Sequence, residues 1–261
     1  MPIITLTTDF GTVDHFVGTM KGVILGIAPR ASIVDITHGI APYDESDAAF
    51  SIAQAWRYFP KGTIHVVVVD PGVGSARRPI LAEAGGQLFV APDNGVLSMI
   101  YDAGKHRVRA ITNRKLMRKE LSRTFHGRDV FAPAAAHLAM GIAPARFGKK
   151  IDDYVRAAFA TPRKLTGSSW AGVVLKADHF GNLVTNFAID QFPGVKTNAI
   201  EVRLGRERIH RLALTYAETE IGEVFAIVGS SGYIEIAANQ ASAAKILGCG
   251  AGAPVELEIS G

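Results

Sequence analysis

An acidic and a basic side chain follow the most apolar run of this chain, at a spacing that suits a ligand site. The run, residues 66–69, is typical of a strand that is buried on both faces of a parallel sheet. Asp70 falls at the end of this strand, Gly72 and Gly74 permit a tight turn, and Arg77 follows the turn. Ligands of open α/β sheets bind beyond the carboxyl ends of the strands, so the pattern predicts a functional site here.

Two further residues can join this site. Asp9 ends the predicted first strand, and if that strand is a parallel neighbour of the 66–69 strand, both carboxylates share one sheet edge. Asp9 then either accepts hydrogen bonds from a ribose diol or caps the following turn. His126 precedes a predicted helix and either contributes an imidazole at the same edge or caps and packs that helix. Arg128 and Asp129 beside it are interpreted as a structural ion pair outside the site.

Two turn-like segments of the second half are ambiguous on their residues alone. Residues 178–182 (DHFGN) and 229–233 (GSSGY) contain the usual β-turn residues and can be plain connections. The chain has no complete dinucleotide glycine fingerprint, phosphate-binding Gly-Lys-Ser/Thr loop, helical histidine pair or Gly-x-Ser-x-Gly elbow. Metal hydrolysis, phosphoryl transfer and serine-nucleophile chemistry are therefore disfavoured.

Strand and helix signals alternate through the first half of the chain, which predicts right-handed crossovers and a parallel sheet. The predicted strands are residues 3–7, 31–37, 66–69, 80–83 and 88–91. The predicted helices are residues 14–27, with Thr12 or Asp14 as the N-cap, 45–59 and 130–140.

The pattern changes after residue 163. A Gly/Ser-rich joint at 165–172 precedes short β-rich runs at 172–176, 183–187, 199–204, 224–228, 233–237 and 255–259. The predicted fold class is α/β: a Rossmann-like N-terminal domain with a mainly parallel sheet at 1–163, and an all-β sandwich or barrel domain at 170–261.

Composition limits the function classes. Of the 261 residues 48% are apolar and 20% charged, as in ordinary globular proteins, and no apolar run reaches the roughly 18–20 residues of a membrane span. The N-terminus lacks the layout of a signal peptide, and the single cysteine, Cys249, excludes an internal disulfide, so we expect a cytoplasmic protein. The basic segment 113–123 is either a solvated surface or a nucleic-acid footprint; because no aromatic residues are interleaved, the former is favoured.

Six motifs in order carry a family resemblance. They are TTDFG (7–11), DPGVGSARR (70–78), APDNG (91–95), FHGRD (125–129), DHFGNLVTN (178–186) and SSGYIEIAANQ (230–240). Together they resemble the S-adenosyl-L-methionine (SAM) hydroxide adenosyltransferases, or SAM hydrolases, whose superfamily includes the fluorinase and chlorinase. The resemblance implies an α/β domain, a β-barrel domain, and a homotrimer with active sites between subunits. It also implies hydrolysis of SAM to adenosine and L-methionine by attack of water or hydroxide at ribose C5′, without a metal or other cofactor.

The resemblance also implies roles for particular residues. It assigns water activation to Asp70, Arg77 and His126, with Arg77 favouring hydroxide and His126 accepting a proton. The implied substrate-binding residues are Asp9 for the ribose hydroxyls, Asp178 and Ser230 for the methionine ammonium and carboxylate, Asn182 for adenine, Tyr43 and Tyr216 as aromatic walls, and Glu235 and Ala238 on the strand past the adenine.

Val73 and Gly127 stand where the halogenases have small hydroxyl side chains in the halide pocket, and His126 replaces an aromatic residue. Hydrolysis is therefore predicted in preference to halogenation. The sequence also leaves open a non-catalytic SAM or adenosine sensor and a nucleic-acid-binding module, although we expect no nucleic-acid or membrane partner.

Overall fold

The computed structural model describes residues 1–159 and 161–260. The chain divides into two compact units, Met1–Ala158 and Phe159–Gly261. The domain boundaries expected from the sequence, 1–163 and 170–261, stay a prediction, and Ala160 and Gly261, which those ranges include, lie outside the described residues.

The first unit contains a seven-stranded sheet in the order β2-β1-β3-β5-β4-β6-β7. Its strands are β1 (Ile3–Thr8), β2 (Ser32–Thr37), β3 (Ile64–Val68), β4 (Pro79–Ala84), β5 (Gln87–Pro92), β6 (His106–Ala110) and β7 (Lys150–Ile151). The four strands from β2 to β5 in this order pair in parallel, whereas the pairings of β4, β6 and β7 are antiparallel. The unit is thus a mixed sheet that is rich in parallel strands.

Helices follow the strands of the first unit, with limits that differ from the predicted ones. They are α1 (Phe16–Ile27), α2 (Glu45–Ala55), α3 (Ser98–Asp102) and α4 (Ala132–Ala139). The prediction that Thr12 or Asp14 caps α1 is wrong, because His15 occupies the N-cap and its side chain makes no capping bond. The Asp44 carboxylate caps α2 by accepting hydrogen bonds from the N–H groups of Ser46 and Asp47.

The apolar run of β3 is explained by the layers on both of its faces. Ile64, Val66 and Val68 pack in a cluster with residues of α1 and α4. Val67 and Val69, which point to the opposite face, pack in a second cluster with residues of α2 and α3. The strand is buried at every position, and it therefore forms a rigid platform beneath the loop that follows it.

A histidine interrupts the apolar pattern in the middle of this sheet. His65 is fully buried and stacks on Phe89, with 4.8 Å between the ring centroids. Its Nδ1 lies 2.7 Å from Thr5 Oγ1 and its Nε2 lies 2.5 Å from Gln87 Oε1. Both ring nitrogens are therefore partnered inside the sheet, and burial lowers the pKa of His65 to about 4.

The second unit contains a nine-stranded sheet whose pairings are antiparallel except for β13 with β14. Its strands are β8 (Arg163–Lys164), β9 (Ser169–Ala177), β10 (Leu183–Ala188), β11 (Ile200–Leu204), β12 (Glu207–Ile209), β13 (Leu212–Ala213), β14 (Val224–Val228), β15 (Tyr233–Ala238) and β16 (Pro254–Ile259), and a short helix, α5 (Ala243–Leu247), precedes β16. Residues 165–168 connect β8 to β9, so the predicted joint at 165–172 contains the turn of this hairpin and the beginning of β9.

Within residues 1–159 and 161–260, no helix combines the length and the apolar character needed to cross a membrane.

The buried imidazole of His65 predicts a pH-dependent stability. The folded state keeps His65 neutral down to about pH 4, whereas the unfolded chain binds this proton near its ordinary pKa of about 6.5. The stabilisation from His65 is therefore fully present above about pH 6.5. As the pH falls from there towards 4, the free energy of unfolding decreases by on the order of 2–3 kcal/mol. Urea unfolding at a series of pH values should show a flatter profile for His65→Gln than for the unsubstituted protein. His210→Gln, at an exposed histidine, is the matched control; an equal pH dependence in both variants would contradict the assignment.

Candidate functional site

Two carboxylates lie at the same edge of the first sheet. β1 and β3 are parallel neighbours, and Thr8 pairs with Val68 where both strands end. Asp9 follows β1 directly, and Asp70 follows two residues after Val68. The predicted proximity of the two strand ends is confirmed, and both carboxylates line one pocket.

The loop after β3 brings Arg77 back onto Asp70. Two tight turns close the loop, since the Val73 N–H donates to the Asp70 carbonyl and the Ser75 N–H to the Gly72 carbonyl. Arg77 Nε then donates to Asp70 Oδ1 over 2.8 Å, and Arg77 Nη2 donates to Asp70 Oδ2. Because Asp70 accepts through both oxygens, the pair is bidentate and fixes the plane of the guanidinium. Only 9% of the Arg77 side chain and 6% of the Asp70 side chain are exposed.

His126 completes the group from a distant part of the chain. Arg77 Nη2 lies 2.7 Å from His126 Nδ1. A guanidinium can donate but not accept, so His126 Nδ1 is the acceptor and the ring is neutral with its proton on Nε2. Burial, followed by the positive charge of Arg77, lowers the pKa of His126, while the carboxylates of Asp70 and Asp129 act in the opposite direction. The structure therefore brings together all three residues of the predicted catalytic set.

One donor of this group has no hydrogen-bond partner among the residues that the structure describes. Arg77 Nη1 is buried and makes no hydrogen bond to any residue that the structure describes. The other two guanidinium nitrogens are occupied by Asp70 and His126. A buried, unpaired donor on a fixed cation is suited to hold water or a small anion.

The two loops of the site are packed backbone against backbone. Gly74 has φ +78°, and a Cβ placed on it would overlap the Arg123 carbonyl oxygen. Gly74 is thus needed both for the left-handed turn and for the close approach of the segment that leads to His126.

After His126 the chain forms a π-helical turn, Gly127–Phe131, before α4 begins. The predicted helix 130–140 therefore begins only after a wider turn, a feature that recurs at functional sites.

The pocket beside this group has a volume of about 350 Å³. Its polar lining includes Asp9, Asp70 and His126, and Val73 and Gly127 also line it. Phe10, Phe16 and Phe125 form an aromatic cluster on the same pocket, with centroids 5.2–5.9 Å apart. This mixture of apolar walls and a few polar groups is typical of a small-molecule site.

Asp9 is held by Tyr43, a second predicted residue of this pocket. The Tyr43 N–H donates to Asp9 Oδ2 over 3.0 Å, and the N-cap of the following helix is His15, not Asp9. Tyr43 has φ +66°, a conformation that costs roughly 1–2 kcal/mol for a residue with a side chain. Tyr43 is 73% exposed and lines the pocket. Strain of this kind is often found at ligand-binding positions.

The second unit has its own pocket, of about 610 Å³. Three predicted residues line it: Asn182, Tyr216 and Ala238. Phe180, which is 75% exposed, and Gln240 also line it. The exposed rings of Phe180 and Tyr216 give this pocket two aromatic surfaces.

Of the remaining predicted residues of the second unit, Asp178 and Ser230 lie at turns and Glu235 lies on β15. Asp178 Oδ1 accepts from the N–H groups of Phe180 and Asn182, and Asp178 Oδ2 accepts from Asn182 Nδ2. The carboxylate therefore stabilises a turn, which is one of the two interpretations that the sequence leaves open. Ser230 is exposed in the turn before β15. Glu235 accepts a hydrogen bond from Ser231 Oγ at 3.3 Å, and burial together with the Asp178 carboxylate raises the pKa of Glu235.

Sequence reasoning missed several residues of the two pockets. Phe180 and Gln240 lie inside the motifs at 178–186 and 230–240, so their place in these motifs is the sequence signal that could have identified them. Gln240 also adopts φ +52°. Thr124 lines the first pocket, and its Oγ1 lies 3.2 Å from Ser122 Oγ. The described part of the chain contains no group of three His, Cys, Asp or Glu side chains arranged for a metal ion.

The sequence matches family models along most of its length. Residues 4–148 match the SAM hydroxide adenosyltransferase N-terminal domain, and residues 172–256 match the C-terminal domain of the same family. The chain belongs to the SAM hydroxide adenosyltransferase family. The predicted family membership is confirmed.

Individual proteins that are similar to this chain support the same family membership. The chain is 36% identical to a (R)-S-adenosyl-L-methionine hydrolase of Salinispora tropica over 95% of this chain and 94% of that protein. It is 29% identical to a fluorinase of Actinoplanes sp. over 92% of both chains. The solved structure of an uncharacterized conserved protein from Thermotoga maritima is 37% identical, superposes with a TM-score of 0.92, and covers 97% of this chain and 99% of that one.

The contact between Gly74 and Arg123 can be tested by stability. Gly74→Ala adds a Cβ that overlaps backbone, whereas Gly62, with a similar φ of +83°, has no atom near an added Cβ within the described residues. Both substitutions pay for the left-handed conformation, but only Gly74→Ala must also push the two loops apart. We expect Gly74→Ala to lose about 1–3 kcal/mol more unfolding free energy than Gly62→Ala in urea titrations. Equal losses would show that the close approach does not constrain the loops.

Proposed function

We propose that this protein hydrolyses S-adenosyl-L-methionine to adenosine and L-methionine. Water or hydroxide attacks ribose C5′, the new C5′–O bond forms as the C5′–S bond breaks, and the bonding electron pair returns to sulfur. The water gives up one proton to solvent in the overall reaction. Membership in the family and the names of its hydrolase members support this substrate.

The observation that carries the proposal is the hydrogen-bonded group of Asp70, Arg77 and His126 at the edge of the first pocket, in which the Asp70 and Arg77 side chains are largely buried. Asp70 holds the guanidinium by two hydrogen bonds, and His126 holds it by a third. Arg77 Nη1 remains as a buried donor without a partner among the described residues. We assign the nucleophilic oxygen to this donor, where the fixed positive charge stabilises hydroxide more than water.

The leaving group makes few demands on the protein. The substrate sulfur is a cationic sulfonium and departs as a neutral thioether, so no acid has to protonate it. Catalysis then depends on a desolvated nucleophile held in line behind C5′. The apolar walls of the first pocket are suited to exclude bulk water from that position.

His126 needs its neutral form for this arrangement. Its Nδ1 lone pair accepts from Arg77, so the ring can take a proton from the attacking water only when that water displaces the Arg77 donor. Protonation from solvent would place an N–H donor on Nδ1, facing the guanidinium, and would break the hydrogen bond. We infer that the neutral His126 ring orients Arg77 before the attack, and that it accepts the proton only after the water has displaced the Arg77 donor from Nδ1.

We assign the substrate contacts as the resemblance implies. Asp9 and Tyr43 in the first unit take the ribose and a face of the adenosine. Asn182 and Tyr216 in the second unit take the adenine, with Glu235 and Ala238 on the strand beside it. The second unit also provides Asp178 and Ser230 for the methionine end.

We further propose that the protein is a cytoplasmic homotrimer. Each complete site would combine the first unit of one subunit with the second unit of the next. The first unit is proposed to be Rossmann-like, as its parallel strands β2, β1, β3 and β5 support, and the second unit to close as a β-barrel. Sedimentation velocity that gives a monomer at micromolar concentration would contradict the trimer.

Halogenation is the second candidate, because a fluorinase is among the relatives. Val73 and Gly127, which line the first pocket, provide no hydroxyl group to hold a halide. Thr124 does provide one at this pocket, but its Oγ1 is close to Ser122 Oγ. Hydrolysis therefore remains the proposal.

Product analysis separates the candidate functions. The purified protein is incubated with SAM in a chloride buffer, and the products are resolved by chromatography with mass detection. Adenosine and methionine in equal amounts support hydrolysis, whereas 5′-chloro-5′-deoxyadenosine would support halogenation. Recovery of intact SAM from a protein that binds it would support a non-catalytic sensor.

Substitution of Arg77 or His126 should affect turnover more than the binding of SAM. We expect Arg77→Ala or His126→Ala to lower kcat for adenosine formation by about 10²- to 10⁴-fold, because the nucleophile loses its positioned cation or base. KM for SAM should change little, since neither residue is assigned to the ribose, adenine or methionine. Arg107→Ala, at a surface arginine of β6 that is 57% exposed, is the control. Unchanged kcat in both site variants would refute these roles.

The pH profile should report the state of His126. Burial and the Arg77 charge lower the pKa of His126, so kcat/KM should fall on the acid side with an apparent pKa below about 6.5. The value of kcat/KM falls at low pH because a protonated His126 ring cannot accept a hydrogen bond from Arg77. His126→Gln, whose amide oxygen can accept but cannot titrate, should lose this limb in rates measured between about pH 4 and 8. An identical limb in this variant would assign the titration to another group.

A further inference from the structure

Asp129 is a fully buried carboxylate three residues after His126. Its oxygens accept from Arg128 Nε at 2.6 Å, from Arg128 Nη2 at 3.0 Å and from the Ser122 N–H at 2.7 Å. Arg118 Nε lies 3.4 Å from Asp129 Oδ1. The arginines fit the ion pair that the sequence predicts, but the bond to the Ser122 backbone links Asp129 to another segment of the chain.

This link closes the loop that carries His126. The Arg118 N–H donates to the Asp129 carbonyl, and the Asp129 N–H donates to the Phe125 carbonyl. The segment 118–125 is therefore tied to Asp129 at its beginning, at Ser122 and at its end. His126 is the next residue, and its own side chain makes no helix-capping bond, which leaves the ring directed to Arg77.

A carboxylate is suited to this role because it accepts several hydrogen bonds at once. Removing one of its partners would leave a buried acceptor unpaired, which is costly, so the three bonds act together. Asp129 also lies in the π-helical turn Gly127–Phe131, where the wider turn changes the direction of the chain before α4.

We propose that Asp129 is a positioning residue that holds the 118–125 segment so that His126 Nδ1 meets Arg77 Nη2. Asp129 lines no part of the first pocket and acts through His126. The inference rests on the proposed function for its kinetic consequence, while its structural consequence can be measured without substrate.

The ionisation of His126 provides the readout. The charged groups that influence it are Arg77, Asp70 and Asp129; burial has the largest effect, and a hydrogen bond with the Ser122 backbone weakly favours protonation. If Asp129 positions the ring, its loss releases His126 from Arg77 and into water, and the pKa of His126 rises towards its ordinary value. If Asp129 acts only as a nearby negative charge, its loss lowers the pKa of His126 further, because that charge favours the protonated ring. The two roles predict opposite signs.

The test is Asp129→Ala, which removes both acceptor oxygens, followed by an NMR pH titration of the His126 ring and by steady-state kinetics. We expect the pKa of His126 to rise and kcat to fall by about 10²-fold, the effect of a displacement of about 1 Å, with KM for SAM within about twofold. Asp102→Ala is the matched control, since Asp102 is a 69% exposed carboxylate that pairs with Arg156 at 3.0 Å. A His126 pKa that falls or stays unchanged in Asp129→Ala would overturn the proposal.

A second pair of variants covers a failure of Asp129→Ala to fold. Ser122→Pro removes the N–H that donates to Asp129 and fixes φ at this residue, whereas Ser122→Ala keeps the N–H. Both variants lose the hydroxyl that contacts Thr124, so the alanine variant controls for that loss. The pKa of His126 should rise in the proline variant and stay in place in the alanine variant; equal behaviour of the two would overturn the proposal. If the unsubstituted protein does not hydrolyse SAM, the proposed function fails, and the titration still decides whether Asp129 positions His126.

Discussion

Burying the guanidinium of Arg77 is the constraint on which the rest of the site depends. A charged group loses several kcal/mol of hydration when it leaves water, and only good geometry with its partners restores this loss. Asp70 supplies the counter-charge through both of its oxygens, and His126 accepts one more N–H. The protein leaves Nη1 unpaired among the residues that the structure describes, so the cation remains available to a small oxygen ligand. Removal from water makes the Asp70–Arg77 pair costly to bury. It also strengthens the attraction of Arg77 for a bound or developing negative charge.

The surrounding structure fixes groups that are far apart in the sequence. Arg77 and His126 are separated by 49 positions and belong to two irregular segments. Gly74 permits one segment to touch the backbone of the other at Arg123, and Asp129 ties the second segment to the turn before α4. Below them, β3 is held by apolar layers on both faces. The rigid sheet and these contacts together fix the positions of side chains that lie on loops.

The sequence predicted the parts of this arrangement that follow from periodicity. The continuous apolar run identified β3 as a buried strand, and its end placed Asp70 at the sheet edge beside Asp9. Strand β6 was missed because its sequence, HRVRA, alternates charged and apolar residues and resembles a loop; in the structure Val108 is buried while Arg107 is exposed. The N-cap of α1 was misplaced because several polar residues precede the helix, and local sequence does not decide among them.

The contacts that define the site required the structure. Motif resemblance selected Asp70, Arg77 and His126, but which nitrogen of His126 faces Arg77 depends on side-chain geometry that no spacing rule contains. The glycine at position 74 predicted a turn, whereas its contact with Arg123 depends on two segments that meet only in the folded state. Asp129 was interpreted as one half of a local ion pair, and its bond to the Ser122 backbone became visible only in three dimensions.

In the proposed reaction a solvent oxygen, held by Arg77, attacks the ribose carbon of SAM. Turnover in water enriched in ¹⁸O, followed by mass spectrometry of the nucleoside product, tests this attack. We expect one ¹⁸O atom in the 5′-hydroxyl of adenosine and none in methionine. Adenosine without the label, or label confined to another position, would contradict attack by solvent at C5′.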